Sequence, residues 1–250
     1  MARLALDAGH GGNDPGAVGN GLREKDLTLY RVLKTAQILK DNYLDIEILL
    51  TRSKDETVSL QKRCELANAW GADFFLSDHT NAGGGTGFES YRLPGAYAST
   101  VQKQSAIHNE IMTFLKGYGI RDRGLKTANL HVLRETKMSA VLIECLFIDH
   151  PKDAALLKQA TFQNGLADAT ARGIAKALGL KAKPKPAPAP VPPAGPLPVV
   201  QKKIAVQVNG KPVEAIGYLI NGTTYLQALY VAGLFGASVE GHGDYIEIKK

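Results

Sequence analysis

The chain has 250 residues, 44% of them hydrophobic and 22% charged, with a formal net charge of +6. This composition excludes a disordered tail or a fibre and supplies enough apolar surface for a real core, while no apolar run approaches the ~20 residues of a membrane span. The charge is uneven, +2 over residues 1–180 and +4 over the remainder, which allows weak attraction to polyanions, but no nucleic-acid-binding module is recognisable and none is expected to act.

The first predicted element is a strand, Arg3-Leu4-Ala5-Leu6-Asp7, followed by the glycine-rich loop Gly9-His10-Gly11-Gly12. A helix is predicted over Glu24 to Asn42, where Leu29, Val32, Leu33, Ala36 and Leu39 share one face. A strand near Ile46 to Leu50, a helix around Ser59 to Trp70 and a strand at Phe74-Phe75-Leu76-Ser77 continue a β-α-β-α-β order. Further strands are expected near Phe88 to Tyr91, Leu130 to Leu133 and Ala140 to Glu144, with helices from about Ser99 to Leu115 and from Phe162 to Leu178. The fold class is therefore α/β, a mostly parallel twisted sheet with helices on both faces.

Residues 181–198 carry eight prolines and no periodic apolar face, the signature of an extended spacer. Beyond it, strand-like runs interrupted by Asn209-Gly210 and Asn221-Gly222, a short helix Leu226 to Phe235 and a final strand Tyr245 to Ile248 predict a small C-terminal α+β module. The domains read as 1–180, a linker 181–198 and a module 199–250. Cys64 and Cys145 lack metal-ligand spacing and read as buried thiols. The start of the chain lacks the basic and apolar regions of a signal peptide, so synthesis in a host cytoplasm is expected.

Ligands of open α/β sheets bind beyond the carboxyl ends of the strands, and His10, His79 and Glu144 each fall at or just past such an end. Glu24, at the start of the first helix, should emerge at the same edge. Two imidazoles and a carboxylate are the ligand set of a zinc site with a position left for water. The glycines around His10 would let the backbone turn sharply there, with Glu24 completing the set. No HExxH or paired CxxC motif supports this, and by spacing alone Glu24 could equally favour the helix dipole while His10 makes a turn hydrogen bond.

The stretches Asp7-Ala8-Gly9-His10-Gly11-Gly12-Asn13-Asp14-Pro15-Gly16-Ala17, Glu24-Lys25-Asp26-Leu27, Leu50-Thr51-Arg52, Ala67-Asn68, Ser77-Asp78-His79-Thr80-Asn81-Ala82, Val132 to Met138 and Ala140 to Cys145 resemble, in order, the zinc-dependent N-acetylmuramoyl-L-alanine amidases of the Amidase_3 family. The resemblance covers residues 1–180. It implies zinc as cofactor, His10, Glu24 and His79 as its ligands, Glu144 as the catalytic carboxylate, and peptidoglycan as substrate. The family usually has proline where Ala8 and Ser139 stand, and isoleucine or leucine where Asp78 stands. Asp78 should face away from His79, since neighbours on a strand point to opposite faces, and should pair with a base.

Asn81, His131 and Arg134 are weaker candidates for substrate contact, each with a structural hydrogen bond as its alternative. His108 and His150 read as surface or capping residues, and Gly83-Gly84-Gly85 as a flexible connection. Some secreted family members insert a helical segment after the second histidine that covers the zinc; only Ala82 to Thr86 stands here, so an open cleft like that of a phage endolysin is expected, acting on the wall after release. The tail is similar to copper amine oxidase N-terminal-like modules, with no copper site implied, and reads as a wall anchor for anionic polymers. Two other readings remain at this stage: a zinc peptidase acting on the stem peptide, and a noncatalytic wall-binding protein.

Overall fold

The computed structural model describes residues 1–184, 202–208, 211–220, 223–225, 238–241 and 245–249. The chain divides into two compact units, Met1–Pro184 and Lys185–Lys250.

In the first unit, β1 (Ala2–Ala8) leads through a small hairpin, β2 (Val18–Gly19) and β3 (Leu22–Arg23), into α1 (Glu24–Asn42). Then come β4 (Ile46–Leu50), α2 (Leu60–Trp70), β5 (Phe74–Asn81), β6 (Phe88–Arg92) and α3 (Ala98–Lys116). The unit closes with β7 (Asp122–Thr127), α4 (His131–Arg134), β8 (Ser139–Phe147), α5 (Pro151–Leu157) and α6 (Ala160–Leu178). Six strands form one sheet in the order β4-β1-β5-β8-β6-β7, parallel except where β6 meets β8.

Strand parity sorts the core into two layers. Leu4, Leu6, Phe74, Leu76, Val141 and Ile143 pack with residues of α1, α3 and α6 on one face, while Ala5, Phe75, Ala140 and Leu142 meet Cys64, Ala67, Val132 and Leu133 on the other. Both cysteines are buried free thiols. Asp7, His79 and Glu144 share the parity of the second set, and Asp78 that of the first.

Several sequence expectations need correction. The strand expected at Leu130 to Leu133 is the short helix α4, because an apolar run of four residues does not distinguish a buried helical turn from a strand. The strand that is present, β7, was not foreseen: it is a polar edge strand, Asp-Arg-Gly-Leu-Lys-Thr, without apolar alternation. The β2–β3 hairpin turns at Asn20-Gly21, both at positive φ (52° and 76°), as an Asn-Gly hairpin requires. α5 was also missed, although His150 caps it as expected, accepting from the Asp153 amide. His108, expected at the surface, is buried between Ser90 Oγ and Asp122 Oδ1, each 2.9 Å from a ring nitrogen.

At the far end of the unit the chain is stitched back onto the α1–β4 connection. Leu44 N donates to Lys181 O (2.9 Å), Lys183 N donates to Asn42 O (2.7 Å), and Tyr43 bridges Ala182.

In the second unit, β9 (Lys202–Val208), β10 (Lys211–Ile220), β11 (Thr223–Tyr225), β12 (Ser238–Gly241) and β13 (Tyr245–Lys249) form a sheet ordered β11-β10-β9-β13-β12. β9 and β10, the strands flanking Asn209-Gly210, pair antiparallel, as do β10 and β11. The helix expected at Leu226 to Phe235 lies outside the described residues.

Candidate functional site

The loop after β1 is shaped to aim one side chain. His10 takes a left-handed φ of 62°, an uncommon conformation for a non-glycine residue that costs of order 1–3 kcal/mol. Gly11 and Gly12 follow at φ 128° and 59°, which completes the sharp turn anticipated from the glycines. Buried arginines hold the turn from beneath. Arg63 donates to Ala8 O and to His10 O (2.6 and 2.7 Å), and Arg52 donates to Ala8 O and Gly9 O (2.9 and 3.0 Å). Asp7 balances this positive charge, accepting from Arg63, Thr51 and Ser77 at 2.6 Å each.

Three of the four residues expected at this edge come together as a cluster. Potential ligand atoms of His10, Glu24 and His79 all lie within 4.8 Å of one another. The Glu24 carboxylate sits between the two rings, with Oε2 3.2 Å from His10 Nε2 and Oε1 2.9 Å from His79 Nδ1. Its oxygens also accept from the Ala17 and Thr80 amides, both at 2.9 Å. His10 Nδ1 lies 2.8 Å from Asp14 Oδ2, which fixes the ring from behind in the manner of a carboxylate–imidazole metal ligand. Burial opposes ionisation of Glu24, but the hydrogen bonds from His10 and His79 hold its carboxyl well below the usual carboxylate range. His79 is pressed down by burial yet raised to about 9 by the Glu24 hydrogen bond and by the charge of Glu144. Two nitrogens and one anionic oxygen converging on a common point are a donor set suited to zinc.

Gly9 is what lets the backbone pass under His79: a Cβ there would lie 2.4 Å from the ring's Cε1. Gly9→Ala is therefore expected to push the imidazole aside and to weaken zinc binding roughly 10- to 100-fold. Competition titration with a chelator, alongside an unchanged circular dichroism spectrum, checks this; wild-type affinity would show that the close approach is immaterial.

Glu144 completes the row from the next strand. It is register-paired with His79 on β5 and with Glu89 on β6, so the three side chains project from the same face. A bulge follows immediately, with Leu146 as the extra residue at φ 65°, and turns the end of β8 away from the site. Burial, with Glu24 and Glu89 adding to it and the charge of His79 opposing, pushes the Glu144 carboxyl up to about 7. Its Oε2 is buried with no hydrogen-bond partner.

The weaker candidates fare differently. Asn81 is close by, donating from Nδ2 to Glu89 Oε1 (2.7 Å). Arg134 lines a separate cavity of about 280 Å³ with Tyr97, Ser139 and Ala140, at the opposite end of β8 from Glu144, and His131 shares its helix. The expectation that these two lie at the catalytic edge came from reading their segment as a strand, and the structure corrects it. Gly83 and Gly84 are tied down, both amides donating to Asp149 Oδ2 at 2.8 Å. Arg31, Arg63, Asp14 and Glu89, all part of the site's support, went unnoticed. Only Arg31 carried a signal, its position one helical turn beyond Leu27 on the buried side of α1.

Asp78 faces away from the cluster, as parity required, and its partner is Arg31. The guanidinium donates from Nε to Oδ1 and Oδ2 (2.9 and 3.1 Å) and from Nη2 to Oδ1, His79 O (3.1 Å) and Thr80 Oγ1 (2.8 Å), with both side chains buried.

An open α/β sheet with a metal-suited donor set and a carboxyl of raised pKa at its carboxyl edge is the arrangement of a hydrolase. The chain belongs to the N-acetylmuramoyl-L-alanine amidase family, Amidase_3, whose profile matches residues 4–176. It is 49% identical over 180 residues to the N-acetylmuramoyl-L-alanine amidase CwlM of Bacillus licheniformis, covering 72% of this chain and 70% of that protein. It is 50% identical over 185 residues to the endolysin of Bacillus phage SPP1, covering 72% and 68%. Among solved structures, the catalytic domain of CwlV, an N-acetylmuramoyl-L-alanine amidase from Bacillus (Paenibacillus) polymyxa var. colistinus, superposes with a TM-score of 0.67 at 35% identity, covering 72% of this chain and all of that one.

Proposed function

We propose that this chain is a peptidoglycan hydrolase that cleaves the amide joining the lactyl group of N-acetylmuramic acid to L-alanine, with His10, Glu24 and His79 as zinc ligands and Glu144 as the proton carrier. The observation that carries the reading is the convergence of the three ligand atoms beside a buried carboxyl with a raised pKa. A bound zinc supplies Lewis acidity toward the scissile carbonyl and lowers the pKa of water toward ~7.

The protein's own side chains account for the rest of the chemistry. Asp14 and Glu24 fix the two imidazoles in orientation. Glu144 in its ionised form takes a proton from the attacking water and, now protonated, hands it to the departing amine. A carboxyl that titrates near neutrality is suited to both halves of that transfer. The connection from β5 to β6 spans only residues 82–87, which supports a cleft that needs no activator to uncover it.

The identity to the phage SPP1 endolysin supports the finer reading that the chain acts on a host wall after release from inside the cell. No helix among the described residues is long and apolar enough to cross a membrane. The second unit is read as a wall anchor, raising local substrate concentration by tethering. One experiment tests both levels: purified protein is added to bare cell walls with no activator, and the fragments are identified by mass spectrometry. New L-alanine amino termini, lost on chelation and restored by zinc, are expected, and a chain ending at Pro184 should sediment less with the walls. New termini inside the stem peptide would overturn the amide assignment, and unchanged sedimentation would overturn the anchor.

A further inference from the structure

Next to Glu144, on the side away from the metal cluster, stands a group that the mechanism does not use. Glu89 on β6 is buried, and its Oε1 accepts from Asn81 Nδ2 (2.7 Å) and from the Tyr91 hydroxyl (2.8 Å). Its Oε2 accepts from Arg123 Nε (2.7 Å) and from Lys126 Nζ, both on β7. A β-bulge between Phe88 and Ser90 sets Glu89 against this stretch of the edge strand. Burial opposes the charge on Glu89, but Lys126 and Arg123 hold its carboxyl down at about 2.

One cation would neutralise one carboxylate; two leave a net positive charge at the rim of the site. The two cations are partly exposed, with 25% of the Arg123 side chain and 35% of the Lys126 side chain open to solvent. Arg123 is also held in orientation. Its guanidinium carbon lies 4.8 Å from the centre of the Phe147 ring, and only Nε is spent on Glu89. Among the described residues no acceptor meets Nη1 or Nη2, and neither atom is buried. A stacked guanidinium with a free two-nitrogen edge is a preformed receptor for a carboxylate.

We infer that Arg123, with Lys126 beside it and Glu89 as the positioning residue for both, is a specificity-determining site that binds a free carboxylate of the stem peptide during cleavage. This rests on the amidase reading above. The lactyl carboxyl is consumed in the scissile amide and L-alanine has no acidic side chain, so the nearest free carboxylate belongs to the glutamyl residue after L-alanine. Conversion of that carboxylate to a carboxamide removes the charge and half of the fork's acceptors, and should remove the preference.

The test uses two muramoyl peptides that differ only there, one with a free α-carboxylate on the glutamyl residue and one with a carboxamide. Wild-type protein is expected to favour the acid through KM by roughly 10-fold, the worth of a charge-assisted hydrogen bond. Arg123→Gln should erase that preference by raising KM for the acid while kcat and all constants for the carboxamide stay put, and Arg123→Lys should restore part of it. Equal KM values in the wild type, or an equal loss on both compounds in Arg123→Gln, would overturn the inference. Calorimetric binding of both compounds to zinc-loaded Glu144→Gln protein gives a second reading free of turnover. Tighter binding of the acid with no cleavage of either compound by the wild type would overturn the amidase reading instead and leave the carboxylate site standing.

Discussion

Glu144→Gln is expected to lower wall hydrolysis by about 10²- to 10⁴-fold, the usual worth of a general acid–base group, while zinc content stays at the wild-type level. The substitution keeps the shape of a side chain register-paired with His79 and Glu89 but removes the group able to take and return a proton. Because burial raises the Glu144 carboxyl to about 7, wild-type activity should climb with pH through that value, not near the ordinary 4.5. The same shift has an opposite signature in stability. A carboxyl with a raised folded pKa favours the fold in its protonated form, so its contribution is whole below the unfolded pKa and is lost as pH rises through about 7. Glu144→Gln should therefore match the wild type in thermal stability near pH 4 and exceed it near pH 8. Activity within about tenfold of wild type would remove Glu144 from the chemistry.

The largest effect on stability is expected at Arg31 and Asp78. Arg31→Met leaves Asp78 as a buried charge without its counter-ion, a loss of about 3–5 kcal/mol. For a unit of this size that is a fall of roughly 10 °C or more in the unfolding midpoint. Asp78→Leu, which installs the residue type the family resemblance leads one to expect, should be similarly damaging alone, since it strands the guanidinium. The double variant Arg31→Met/Asp78→Leu should recover most of the loss, because an apolar pair of similar volume avoids the cost of desolvating two ions. Calorimetry or thermal circular dichroism on the four proteins closes the cycle. Single variants that melt within a degree or two of the wild type would show that the pair contributes little, and losses that simply add would show that the two residues do not act through each other.

The parts of this architecture legible in the sequence are those that repeat a period. α1 was read to its residue limits because Val32, Ala36 and Leu39 recur on one side, and the buried strands β1, β5 and β8 are short apolar runs. Asp78 facing away from His79 followed from the two-residue period of a strand. β7 was invisible because an edge strand need bury little, and α4 was misread because four apolar-rich residues have no period to display. At the site, the metal cluster was legible through strand-end positions and through family motifs. Its support was not: Arg63 meets His10, and Glu89 meets Arg123, only across strand and helix pairings that join residues 53 and 34 positions apart. Buried polar networks of this kind carry no local pattern, since each member is satisfied by a partner far along the chain.

The stitch between Tyr43 and Ala182 fixes the point at which the polypeptide leaves the first unit. The α1–β4 connection precedes β4, so that exit lies at the amino end of the parallel strands, a strand's length or roughly 20 Å from the reactive rim. Anything grafted after residue 184 is thus moored at the back of the unit. Molecules coupled to a bead or a surface through that position should keep their mouths turned toward the medium and lose little turnover to crowding.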